Sequence, residues 1–420
     1  MGSLIRFEIK KICSRRVAQV SFGVILAILC AILCLNIVQQ RASDPNQVDG
    51  DLAGTAAIAQ MKANADALAG PITNERATEA LREYKTFLDD EGEVKDEYRT
   101  VPGDAAASEK AAECWQFNAT HGSYLTLLTR PWMVGHQTPR SVAAAVDTSE
   151  TVDLYGQVRS SIASQLEDAE GAFTYTDAEK AFWTDKANSV SAPVEYGYAG
   201  GWTDFLYLAQ YLLFALLAVV IACASTFNVE YREKTDAVLL SAKLGKSHLG
   251  KAKVIAAVIV SSGIYWLMAL ALLIVPLVFF GAGGAGLHMQ IIMLTCTYDL
   301  SLLAASLICC LVGYLAVLGL LGLTLALSAR MKSSMGILAA CVAIVMLPLY
   351  VPNLHDNLVN HVMFLFPCNA LNPYNLFDMV SYSLGSVVVE YPVMIAILYM
   401  VLFVGGSAFA ARSFSKHQVA

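Results

Sequence analysis

The chain has 420 residues, of which 56% are hydrophobic and 15% charged, and its mean hydropathy is +0.53. Soluble domains carry about 25% charged residues, so the composition excludes a wholly soluble protein and indicates a membrane protein with a soluble part. The formal charge of −7 argues against a surface built to neutralise nucleic-acid phosphates.

Residues 1–16 set Leu4, Ile5, Ile9 and Ile12 against Arg6, Lys10 and Arg15. That pattern predicts an amphipathic helix in the inner membrane interface, its basic face toward head groups. The apolar run 17–38 exceeds the roughly 7–15 residues of a signal-peptide core, and no A-x-A cleavage site follows it. It reads as an uncleaved first span. A hydrocarbon core of about 30 Å takes roughly 20 helical residues, and further runs at 205–227, 254–280, 302–327, 335–351 and 393–411 approach or reach that length. The expected fold is an α-helical integral membrane protein with six transmembrane helices.

Residues 39–204 are the soluble part, long enough to form a domain. Leu81, Tyr84, Phe87 and Leu88 recur at helical spacing, as do Val152, Tyr155, Val158 and Ile162. Thr176 with Glu179 is a capping-box pattern. Strand-like alternation is scarce, so the domain is predicted to be mainly helical. Asp89, Asp90 and Glu91 read as a solvated turn. Residues 121–140, HGSYLTLLTRPWMVGHQTPR, are the least regular stretch, either packed on the domain itself or touching cargo or membrane. Asn118-Ala119-Thr120 matches the glycosylation acceptor pattern.

The second span opens near Trp202, Asp204, Tyr207 and Tyr211, with Gln210 read as bonding a neighbouring helix, contact with transported cargo being the alternative. Lysine and arginine then fix the orientation, because they collect on the cytoplasmic side of spans. They cluster at 6–16, 232–253, 330–332 and 412–416 and are missing from 281–301 and 352–392. Both termini are therefore expected in the cytoplasm and 39–204 outside. The charge divides accordingly, net +11 on the cytoplasmic connections and −14 on 39–204.

Residues 228–253, NVEYREKTDAVLLSAKLGKSHLGKAK, join the second and third spans. Asn228 suits a helix N-cap, Glu230, Glu233 and Asp236 suit the positive helix start, and lysines crowd the later part. A simple turn needs only a few residues, so an amphipathic segment of this length suggests a docking surface; the plainer alternative is a helix anchored in the interface. Gly245-Lys246-Ser247 invites a phosphate-loop reading, but Leu240 stands where that loop requires glycine and no strand precedes it.

The acidic start at Glu230 and Glu233, Thr235, the triplet Leu239-Leu240-Ser241, and Lys251 opening the next span resemble the cytoplasmic loop of type-2 ATP-binding cassette (ABC) exporter permeases. Lys234 stands where the family carries glycine, and no proline follows Ser241. The resemblance covers the span layout, this loop and the basic turn Arg330-Met331-Lys332-Ser333-Ser334, and does not extend to 39–204. It implies a coupling helix seated in a groove of a separate cytoplasmic nucleotide-binding ATPase subunit. Glu230, Arg232 and Glu233 would make its polar contacts, Leu239 and Leu240 would fill the groove, and Thr235 and Lys251 belong to the same coupling segment. It also implies ATP and magnesium in that partner, no cofactor in this chain, and a second permease subunit, alike or different, in the lipid of the plasma membrane. The expected function is export of a substrate, with amphipathic peptides or drugs in view. The alternative is a membrane sensor whose outer domain binds a ligand and signals to a cytoplasmic partner.

Residues 288–297 are apolar but too short to cross, and predict a re-entrant or interfacial helix. Asp299 is a functional candidate by its depth or else a helix cap. GYLAVLGLLG at 313–322 lets helices approach closely, for packing or a dimer face. Residues 359–366 and the turn 367–373 suggest a helix dipping into the outer leaflet, with His361 and Glu390 read as structural rather than as proton or cargo ligands, the alternative reading. Residues 412–420 form a cytoplasmic tail. Most of the ten cysteines lie in spans as small apolar residues; Cys114 and Cys368 are weighed between a bridge and the unpaired state. The sequence has no CxxC or CxxH spacing for a metal and no catalytic constellation, so an enzyme is not expected.

Overall fold

A computed structural model describes residues 1–99, 105–233, 248–351, 356–385 and 387–415. In chain order the elements open with helices α1 (Gly2–Cys13) and α2 (Arg16–Val38). Strands β1 (Arg41–Ser43) and β2 (Asp51–Ala53), helix α3 (Gly54–Ala67), strand β3 (Gly70–Pro71) and helices α4 (Asn74–Thr86), α5 (Ala105–Thr129), α6 (Pro139–Ala145), α7 (Leu154–Glu167) and α8 (Asp177–Asn188) follow. Next come β4 (Glu195–Tyr196), α9 (Gly200–Leu208), α10 (Leu213–Cys223), α11 (Asn228–Glu233), α12 (Gly250–Phe279), α13 (Leu302–Ser328) and α14 (Ser334–Tyr350). The chain closes with α15 (Asn357–Phe364), α16 (Pro367–Ala370), α17 (Pro373–Leu376), a hairpin of β5 (Ser381–Leu384) and β6 (Val387–Glu390), and α18 (Tyr391–Ser415).

Among the described residues, five segments are long and apolar enough to cross a membrane: Arg16–Val38, Gly200–Glu230, Gly250–Phe279, Leu302–Ser328 and Tyr391–Ser415. The sixth expected span, α14, is apolar but has 17 residues, about 25 Å at 1.5 Å per residue. The second segment is interrupted by the 3-10 turn Ala209–Leu212 between α9 and α10.

The chain divides into two compact units. The first comprises Met1–Ile32, Leu206–Ile274 and Leu307–Ala420. Its interior is apolar, with Leu216, Val219, Phe227, Ala256, Leu321, Ile337 and Ile395 buried. The glycine run 313–322 packs within the chain: a Cβ on Gly322 would stand 2.5 Å from the carbonyl oxygen of Leu402 and 2.7 Å from Cα of Phe403, and one on Gly319 would stand 2.5 Å from the ring of Tyr399. Bare backbone there lets α13 and α18 touch. After α15 the chain forms the hairpin β5–β6, which the sequence reading missed; Gly385 at its turn has φ +67°, a conformation glycine adopts without strain. His361 serves structure, its Nδ1 lying 2.7 Å from the Asn357 carbonyl and its Nε2 3.0 Å from that of Ser381. Tyr391 and Tyr399 donate to the carbonyls of Phe364 and Leu365 at 2.7 and 2.9 Å.

The second unit comprises Leu33–Phe205 and Val275–Ser306. Its described part is mainly helical, as the pattern predicts. Leu81, Tyr84, Phe87 and Leu88 pack with Phe117, Leu125, Val142 and Ala143 in one core, and Thr176 with Glu179 forms a complete capping box. Two small strand pairs, β1–β2 and β3–β4, were not anticipated. The supposedly irregular stretch 121–140 is helical through Thr129 and turns through 3-10 geometry at Arg130–Trp132. The helix expected at 288–297 is absent; only the 3-10 turn Met289–Ile291 forms, because the buried amide of Gln290 donates to the carbonyls of Cys296 and Tyr298 at 2.8 and 3.0 Å and folds the segment back. Asp299 is not a cap. It pairs with Nδ1 of His288 at 2.6 Å and accepts from the Ser191 hydroxyl at 2.9 Å, while Ser301 accepts from the Ala304 amide at the start of α13. Cys114 and Cys368 are both free thiols.

Candidate functional site

The features that single out the 228–253 loop meet at its base. In α1, Glu8 and Ile12 share one face, and both are almost fully buried. A carboxylate on the inward face of an otherwise basic helix must find a partner, because an unpaired buried charge costs several kcal/mol. That partner is Lys253, in the first turn of α12 and fully buried. Its ammonium lies 3.0 Å from Oε2 of Glu8, 2.6 Å from Oε1 of Glu230 and 3.0 Å from the Thr226 carbonyl. Lys11 reaches the same Glu230 oxygen at 2.6 Å from the more open side. Two lysines thus neutralise two glutamates, and charge-assisted bonds of this length are the strong ones.

Neighbouring residues extend the grip. The amides of Phe227 and Asn228 donate to the Ser328 hydroxyl at the end of α13, at 3.0 and 3.4 Å. The Asn228 side chain exchanges hydrogen bonds with Ser334, the first residue of α14, at 3.0 and 3.2 Å. Arg15 donates to the Ser225 hydroxyl and, at 3.2 Å, to its carbonyl. Phe227 packs on Phe414 of α18 with ring centroids 5.4 Å apart. Residues 225–230 therefore touch α1, α12, α13, α14 and α18.

No family model, curated protein or solved structure matches the chain.

Of the residues chosen from the sequence, Glu230 lies in this node. Its side chain is held by the chain's own lysines rather than presented outward, and among the described residues its Oε2 accepts no hydrogen bond. Arg232 and Glu233 end α11. Thr235, Leu239 and Leu240 lie outside the described residues. Lys251 is exposed, and the buried lysine is Lys253. Two residues along a helix is a rotation of about 200°, which turns one side chain out and the other in.

Glu8 and Lys253 were missed because each looked ordinary in its own segment. The usable signals were a lone acid among basic residues in α1 and a lysine flanked by Ala252 and Val254. Among the described residues, no group of three or more His, Cys, Asp or Glu side chains is gathered as for a metal. What the node offers is mechanical connection: both ends of one loop are fixed to the same charges.

Proposed function

We propose that this chain is the membrane-spanning permease subunit of an ABC exporter, with both termini in the cytoplasm of a plasma-membrane protein and residues 39–204 outside. Six spans, α14 being the shortest, carry the path. The loop 228–253 docks on a separate ATPase subunit that holds ATP and magnesium, and a second permease subunit completes the transporter. The cargo we favour is an amphipathic peptide or drug. The observation that carries this reading is the Glu8–Lys253–Glu230 node. A loop whose two ends are anchored in one buried ionic contact transmits displacement to the helices that hold it, which is what coupling requires. In this scheme Glu230 braces the loop, Arg232 and Glu233 supply polar docking contacts, and Leu239 and Leu240 fill the partner's groove.

Tagged protein purified gently from its own cells is expected to retain a nucleotide-binding ATPase, lost from Leu239→Asp/Leu240→Asp while the chain stays inserted. ATP-driven export unchanged in that variant refutes the proposal. Recovery of a kinase in place of an ATPase favours the sensor alternative.

A further inference from the structure

The helical domain between the first two apolar segments contains a cleft of about 920 Å³, within the roughly 300–1,000 Å³ of small-ligand pockets. Two stretches that looked unrelated in the sequence meet there, the acidic turn at 89–93 and the end of 121–140. Buried Tyr84, Cys114 and Leu125 form its floor, and Tyr98 and Trp115 give it aromatic walls.

Its charges are laid out with opposite signs on built supports. Arg140 stands in the first turn of α6, placed by the Thr138–Ser141 capping box, and lines the cleft beside the buried Tyr84. Among the described residues Arg140 makes no ion pair, whereas the other lining arginine, Arg99, is paired with Asp96 at 3.2 Å. Glu91 and Glu93 line the same cleft from a turn whose shape is fixed by Asp89, which accepts from their amides at 3.1 and 2.8 Å. Gly92, at φ +83°, seats that turn on α6; a Cβ there would stand 2.6 Å from Cα of Ser141. Asp49 on the rim has φ +57°, and among the described residues it is the one non-glycine at positive φ. Such strain concentrates at ligand sites.

We infer that this cleft binds a short peptide or amino-acid derivative with a free amino group, a free carboxylate and an apolar or aromatic side chain. The carboxylate bonds the forked guanidinium of Arg140, the ammonium meets Glu91 and Glu93, and the side chain lies on Tyr98 and Trp115. The cleft lies within one unit and needs no ATPase to be occupied, so binding and export fail or succeed separately.

The test is calorimetric titration of the purified full chain in detergent with a leucine-phenylalanine-leucine tripeptide, compared with its N-acetylated and C-amidated forms. The free peptide is expected to bind, and either block to weaken it at least tenfold. Arg140→Gln should lose discrimination between acid and amide, and Glu91→Gln/Glu93→Gln discrimination between amine and acetyl, each with an unchanged melting temperature. A variant that fails to fold is replaced by Arg140→Lys, expected to keep part of the preference. No binding at millimolar peptide, equal affinity of free and blocked forms for the unaltered chain, or a folded Arg140→Gln that still prefers the acid overturns the inference.

Discussion

Replacing Lys253 by methionine keeps most of the side-chain volume and deletes the ammonium that Glu8, Glu230 and the Thr226 carbonyl share at 3.0, 2.6 and 3.0 Å. Removing one partner of a buried pair typically costs about 3–5 kcal/mol, because the other charge is left without compensation. Glu230 retains Lys11 at 2.6 Å, which moderates its share, but Glu8 loses the ammonium that neutralised it. At about 2–4 °C per kcal/mol for a domain of 150–250 residues, the melting temperature in detergent should fall by roughly 6–20 °C. Glu8→Gln added to Lys253→Met removes the orphaned charge and should recover part of the loss. Thermal unfolding of the four proteins of this cycle, followed by tryptophan fluorescence, gives the coupling directly. A Lys253→Met protein within about 1 kcal/mol of the parent, or a double variant worse than the sum of its parts, refutes the idea that these charges hold one another.

Gly322→Leu forces a side chain between α13 and α18 where a single Cβ already meets backbone at 2.5 Å; the expected loss is about 1–3 kcal/mol or more, read as a lowered melting temperature, and an unchanged melt contradicts the packing. Burial, with Tyr124 adding to it, pushes the Tyr196 phenol up to about 12. An unfolded phenol ionises near 10, so above about pH 10 the unfolded state binds fewer protons than the native one and stability falls as pH rises toward 12. Melts at pH 9 and pH 11 should differ, and Tyr196→Phe should narrow the gap. The buried Cys114 thiol is likewise pushed up by desolvation, whereas Cys13 is exposed. Maleimide should therefore label Cys13 quickly and Cys114 only on unfolding. In intact cells a cytoplasmic N-terminus requires a membrane-permeant reagent for Cys13; labelling by an impermeant one reverses the orientation.

What was legible in the sequence was local. Long apolar runs specify helices because every backbone group must bond internally in hydrocarbon, and α2, α12, α13 and α18 lie close to where the runs predicted them. Periodicity placed Leu81, Tyr84 and Phe87 in one core. What depended on distant partners was not legible. Lys253 resembles any juxtamembrane lysine until Glu8, far away in the chain, is beside it. The Ser381–Glu390 hairpin hides in an apolar stretch whose one local signal is Gly385. Arg140 and Glu91 belong to different stretches and share a cleft only once Gly92 has packed on Ser141.

The ionic node also changes how a load on the loop is shared. Glu230 and Lys253 lie at the loop's two ends and meet at 2.6 Å, so the two ends share one attachment rather than two separate ones. A tug anywhere along the loop cannot draw the second segment away from the third without first parting opposite charges out of water. Under the coupling proposed above, such a load is expected to tilt both together, and the first helix with them, since Glu8 is held by the same ammonium.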